Sequence, residues 1–194
     1  MTQSAREASR LATWRALREA TVRLVTERGF AAVTVDDVAA ATGTSRRTFF
    51  DSFPTEAAAL FDPDPELAGR LQRLTGEAPV TDDPWADLRW ICVSFVRWGP
   101  PDTIVVHRLG AASGELLGYP VQVHRHVETA LEVWALRRFP DDPLGARLLS
   151  AAAGAALGTA FLTWDPATPA EEFVRLADRA PAAVTVRRPG TEET

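Results

Sequence analysis

The sequence has no lysine: all 21 of its basic residues are arginine, set against 26 Asp and Glu and three His. Codon usage in a GC-rich genome accounts for such a bias, but its physical consequence stands. Every cation carries a planar fork that can bind a phosphate or a guanine edge through two hydrogen bonds. A single cysteine, Cys92, excludes an internal disulfide and any cysteine-based metal site. It lies in the apolar run Trp90-Ile91-Cys92-Val93, which predicts a buried, inert thiol. The N-terminus has no apolar run after a basic start, so no signal peptide is expected. The longest apolar stretch, Leu148 to Trp164, is dominated by Ala and Gly and falls short of the roughly 20 residues of a spanning helix. A cytoplasmic protein is the expectation. No segment alternates apolar and polar residues for long enough to build a sheet, which predicts an all-α fold.

Core material is ample, with 46% of the 194 residues hydrophobic and 24% charged. The net charge of −5 speaks against DNA binding over the whole surface, but the charge is uneven. Residues 1–53 hold eight Arg and six acids (net +2), and 54–194 hold thirteen Arg and twenty acids (net −7). A cationic head on an anionic body suits a protein that presents one end to a polyanion.

Apolar spacing predicts a first helix over 11–28, with Trp14, Leu17, Thr21, Leu24 and Val25 on one face and Gly29 as its cap. Thr34 followed three residues later by Asp37 is a capping-box start for a short second helix, which Thr42-Gly43-Thr44 ends. Ser45 then caps a third helix, Arg46 to Phe53, before Pro54. Two short helices joined by a glycine turn behind a longer one form a helix-turn-helix pattern. Further helices are predicted from Pro54–Thr55 to about Leu60, over 66–74, from Asp83-Pro84 to Trp98, and over 102–111. Others cover 120–139, the segment opened by Asp141-Asp142-Pro143 and closed by Asp165-Pro166, and 169–180. Leu88, Ile91, Cys92, Phe95 and Trp98 form a buried stripe, and the segment opened by Asp141-Asp142-Pro143 carries Leu144, Leu148, Ala152, Ala155, Thr159 and Leu162.

The stretch RGFAAVTVDDVAAATGTSRRTFFDSFPTEAAAL, residues 28–60, resembles the DNA-binding domain of the tetracycline-repressor (TetR) family. The matching positions are Gly29, Phe30, Thr34, Gly43, Ser45, Thr48, Phe50 and Phe53. The resemblance implies a DNA-binding domain over 1–54, a helical effector-binding and dimerisation domain over 55–180, and a flexible tail over 181–194. It implies DNA contacts from Arg10, Arg15, Thr34, Thr44, Ser45, Arg46, Arg47, Thr48, Phe49 and Phe50, with Phe53 anchoring the core. Two positions depart from the family pattern. Phe50 stands where a tyrosine usually reaches a phosphate, and Glu56 where a lysine usually does.

The resemblance also implies a homodimer formed through the helices near 143–164 and 169–180. Small residues there, including Ala151, Gly154, Ala155 and Gly158, permit close approach of another helix. The implied partners are double-stranded operator DNA and a small hydrophobic or aromatic effector. Candidate pocket residues are Trp90, Phe95, Trp98, His107, Trp134 and Phe161, each of which also fits a plain core role. His124 and His126 lie two apart and do not share a helical face, so no metal site is expected. No nucleophile–base pair or phosphate-cradling loop suggests an enzyme or a cofactor. The expected function is a repressor released from a palindromic operator. The rival is a helical ligand carrier with a degenerate DNA-binding head.

Overall fold

Helix starts and stops in the first part of the chain follow from single residues. The computed structural model describes residues 3–98, 109, 121–165 and 167–184. Among these every regular element is helical. They fall into two compact units: 3–65, with 109 and 121–122, and 66–98 with 123–165 and 167–184.

In the first unit, α1 spans Gln3–Arg28. It begins well before the predicted start because residues 4–10 are exposed and carry no apolar period to betray a helix. Trp14, Leu17, Thr21, Leu24 and Val25 are buried as their spacing predicts. Gly29 ends α1 at φ 83°, its N–H donating to Val25 O at 2.8 Å. A short 3-10 turn, Phe30–Ala32, then returns Phe30 to the core. Thr34 and Asp37 form the predicted capping box of α2 (Val35–Thr42), and Gly43 closes it in the left-handed region at φ 64°. Ser45 caps α3 (Arg46–Ser52), its Oγ accepting from Thr48 N at 3.1 Å. Thr55 caps α4 (Glu56–Phe61) in the same way, accepting from Ala58 N at 3.0 Å.

Ala57 to Phe61 are buried in the same core as Trp14, Leu17, Val38, Phe49 and Phe53. The head therefore extends to Pro65, beyond the boundary at residue 54 that Pro54 suggests.

The second unit holds α5 (Leu67–Glu77), α6 (Pro84–Trp98), α7 (Val121–Arg138), α8 (Pro143–Thr163) and α9 (Ala170–Ala182), α7 beginning in the first. Leu71, Leu88, Ile91, Cys92, Leu131, Trp134, Leu149 and Ala177 share its core. Burial pushes the Cys92 thiol up to about 12, so it stays protonated and inert as predicted. Trp98, assigned to the buried stripe, is instead exposed, with the Arg70 guanidinium 4.9 Å above its ring. The predicted loose tail starts too early: Pro181 is buried within α9, and its carbonyl accepts from Trp85 Nε1 at 2.9 Å. Arg89 and Asp178 form a forked pair at 3.1 and 2.9 Å between α6 and α9. Their hydrogen bonds raise the Arg89 pKa and lower that of Asp178. The helix predicted over 102–111, with His107, lies outside the described residues apart from Leu109.

Helix α8 departs most from expectation. It runs 21 residues and is long and apolar enough to cross a membrane by length and composition, unlike the shorter stretch read from the sequence. Leu144, Leu148 and Leu162 lie on its outward face, 69%, 62% and 84% exposed. Some of its small residues face inward, among them Ala153, Gly154, Ala156 and Ala160, while Ala151 and Ala155 are exposed. A Cβ at Gly158 would lie 2.9 Å from His124 Cε1, and one at Gly154 would lie 3.3 Å from Glu128 Cγ. The two glycines thus admit side chains of α7 from the same chain.

Phe49 has no exposed surface and sits at the centre of the first unit. Phe49→Ala is expected to destabilise that unit by about 3–5 kcal/mol, read as a loss of cooperative unfolding in urea. Wild-type stability in this variant would move the core elsewhere.

Candidate nucleic-acid interface

The candidate interface is built on α3, seven residues long and fixed at both ends. Ser45 Oγ holds the Thr48 amide, and the Phe53 amide donates to Phe49 O at 2.8 Å. On its inner side Phe49 and Phe53 are fully buried, with ring centroids 5.7 Å apart, and Trp14 lies 5.1 Å from Phe53. Arg46, Arg47 and Phe50 share the outer side at steps of three and four. The Arg47 side chain is 90% exposed, with Asp51 a distant 3.9 Å away. Phe50 is 48% exposed and stands edge-on to Phe49 at 5.6 Å.

Carboxylates moderate this face. Arg46 Nη1 donates to Asp36 Oδ2 at 2.7 Å, with both side chains more than half exposed. An exposed pair of this kind contributes less than about 1 kcal/mol, so a phosphate can displace it. Asp36 is a residue that sequence spacing missed, because only the turn at Gly43 brings α2 against α3. Glu56 Oε1 accepts from Val35 N at 3.2 Å, satisfying one of the free amides in the first turn of α2. The carboxylate at the family's lysine position is therefore turned onto its own chain. The Asp37 carboxyl is held below its usual range, first by the Thr34 side-chain hydrogen bond and then by the Thr34 amide.

The other predicted contact residues divide by environment. Phe49 is core, because the helix period turns it inward. Arg15 is committed to Asp64 through Nε and Nη2 at 3.2 and 3.1 Å, a fork that ties α1 to the segment after α4. The Thr34 hydroxyl is taken by the capping box. Thr44 bonds Thr42 at 2.9 Å, and Thr48 bonds Ser45 at 2.9 Å, so both hydroxyls are oriented locally. Arg10 is exposed on α1.

The predicted effector residues do not gather around one space. Trp134 is core, Phe95 packs against that core, Trp90 and Trp98 are exposed, and Phe161 meets Phe173 edge-on at 5.9 Å. None of these five lines a cavity of about 400 Å3 between α5 and α7. Among the described residues no group of His, Cys, Asp and Glu is arranged to hold a metal ion.

Residues 17–61 match the model of a family described as bacterial regulatory proteins, tetR family. No curated protein matches the chain by sequence. Solved structures do match in fold. A protein from Mesorhizobium loti described as a TetR-family transcriptional regulator has a TM-score of 0.58 at 14% identity, covering 94% of this chain and 96% of its own. A TetR-family transcriptional regulator from Pectobacterium atrosepticum has 0.54 at 20%, covering 94% and 93%. NalD of Pseudomonas aeruginosa, the secondary repressor of the MexAB-OprM multidrug efflux pump, has 0.51 at 18%, covering 87% and 96%. Residues 17–61 are therefore the N-terminal domain of the TetR family of bacterial regulatory proteins, carried by a chain with the fold of that family's transcriptional regulators.

Proposed function

We propose that the chain is a transcriptional regulator that binds operator DNA as a homodimer and releases it when a small molecule binds. The observation that carries this reading is the outward side of α3, where Arg46, Arg47 and Phe50 stand together on a helix fixed from behind. A helix of that width enters a major groove about 12 Å wide. Arg47 then reaches a guanine edge or a phosphate with both arms of its fork, and Arg46 follows by exchanging Asp36 for phosphate. Phe50, which has no hydroxyl to offer a phosphate, presents an apolar face to a thymine methyl. Exposed Arg10 adds a further cation on α1.

The partner surface is the outward face of α8, where Leu144, Leu148, Ala151, Ala155 and Leu162 recur at helical spacing, with α9 beside it. Two copies paired about a twofold axis set two α3 helices on half-sites about 34 Å apart or a multiple of that, on a near-palindromic operator. The sense of regulation is repression, as for NalD. An effector acts by binding better to the head spacing that the operator rejects.

The pairing of Arg46 with Asp36 and the placement of Glu56 favour a second reading, a ligand carrier with a degenerate head. A salt-titrated binding assay on DNA selected from a random pool separates the two. A regulator loses affinity steeply as salt rises, and a carrier selects no site.

Arg47→Ala is expected to weaken specific binding by about 1–3 kcal/mol in anisotropy titrations while thermal unfolding stays unchanged. Unaltered affinity would remove Arg47 from the interface. Asp36→Asn frees Arg46 and is expected to strengthen non-specific binding, steepening the logarithmic salt slope by about 0.9. A slope equal to wild type would show that Arg46 stays off the phosphates. Leu148→Glu is expected to give a folded monomer in sedimentation; a persisting dimer would place the interface on another face.

A further inference from the structure

In the second unit Arg70, Arg89, Arg138, Arg147 and Arg175 answer to a carboxylate or a carbonyl, whereas Arg73 and Arg179 have no hydrogen-bond or ion-pair partner among the described residues. Arg89 pairs with Asp178, Arg147 with Glu132, and Arg138 donates to Thr81 O at 3.0 Å. The cavity between α5 and α7 gathers two more arginines of the second kind. Arg125 and Arg137 line it with no hydrogen-bond or ion-pair partner for either guanidinium among the described residues, and no Asp or Glu is in its lining. In a chain with five more acids than bases, a space that gathers two such cations and excludes carboxylates is a charge match for an anion.

We propose that this groove binds an elongated apolar molecule with an anionic head, carboxylate or phosphate, seated on Arg125. The proposal makes that molecule an effector only if the regulator reading above holds. Leu71, Ala130 and Val133 give the groove an apolar lining, with Val133 left 41% exposed on the surface of α7. A volume of about 400 Å3 lies in the ordinary range for small-molecule sites, about 300–1,000 Å3. Arg125 and Arg137 sit about 18 Å apart along α7 at 1.5 Å per residue, so the space runs along that helix. Arg137 lies in the last turn of α7, where a cation offsets the carbonyl end of its own helix. Arg125 has no such role, and His126 stands next to it in the lining. The head therefore belongs at Arg125 and the apolar body runs toward Val133. The guanidinium fork accepts carboxylate and phosphate oxygens alike, so the two heads are separated by experiment.

Calorimetric titration of the full chain with dodecanoate, dodecyl phosphate and dodecanol, without DNA, tests the proposal. At least one of the two anions is expected to bind at least tenfold more tightly than the alcohol, and the tighter one names the head. Arg125→Gln is expected to lower anion affinity at least tenfold and leave dodecanol unchanged. Arg147→Gln, outside the groove, is expected to bind as wild type does. The proposal fails if neither anion binds, if alcohol and anions bind alike, or if Arg125→Gln matches wild type. Operator release is measured separately. Anion binding without release keeps the groove and removes its regulatory role, whereas operator binding with no anion binding removes the groove and keeps the regulator.

Discussion

Seven residues make too few hydrogen bonds to hold a helix in water, so α3 exists because Phe49 and Phe53 are buried behind it. Burying two phenyl rings against Trp14 and the alanines of α4 supplies several kcal/mol, and it also fixes the rotation of the helix about its axis. With Phe49 inward, Arg46, Arg47 and Phe50 have only the outer side left to them. The same constraint explains why the head runs on to Pro65. Leu60 and Phe61 close the core that Phe49 opens, and Arg15 locks the following segment through Asp64.

The charge of this head is more restrained than its surplus of arginine suggests. Arg15 is spent inside the fold, Arg46 is shared with Asp36, and the first turn of α2 is answered by Thr34, Asp37 and Glu56. Part of the positive potential is therefore already matched within the head, while Arg10 and Arg47 stay exposed. Under the proposed function such a head gains affinity chiefly where α3 fits, since Arg46 must first release Asp36 to reach a phosphate. Glu56 in place of a cation is consistent with this, because its carboxylate does for the α2 amide what a phosphate would otherwise do.

Local chemistry was legible in the sequence and relative placement was not. The capping box at Thr34, the glycine turn at Gly43, the cap at Ser45 and the core role of Phe53 all depend on neighbours within a few residues, and each was read correctly. The Asp64 partner of Arg15 and the burial of Phe49 were missed for different reasons. Arg15 answers an acid 49 residues away that no spacing rule links to it. The turn of α3 by which Phe49, rather than Phe50, faces the core is decided by Trp14 and Phe53 together. The scattered aromatic residues of the body resist the same way, since a tryptophan at helical spacing has one pattern whether it is core, as Trp134, or exposed, as Trp98.

Helix α8 shows why an apolar pattern alone does not give an inside and an outside. It is largely apolar on every side, so hydrophobicity does not choose a face: Leu149 and Leu157 are buried while Leu144, Leu148 and Leu162 are exposed. His124 and Glu128 of α7 lie over Gly158 and Gly154, where a Cβ would crowd them. The large residues Leu144, Leu148 and Leu162 are left on the outside, where an unpartnered protein would carry polar ones. Each leucine buried from that position gains about 1.5–3 kcal/mol. Three of them on one stripe, repeated on a second copy about a twofold axis, supply enough to favour pairing under the proposed function while leaving the glycines to the protomer itself.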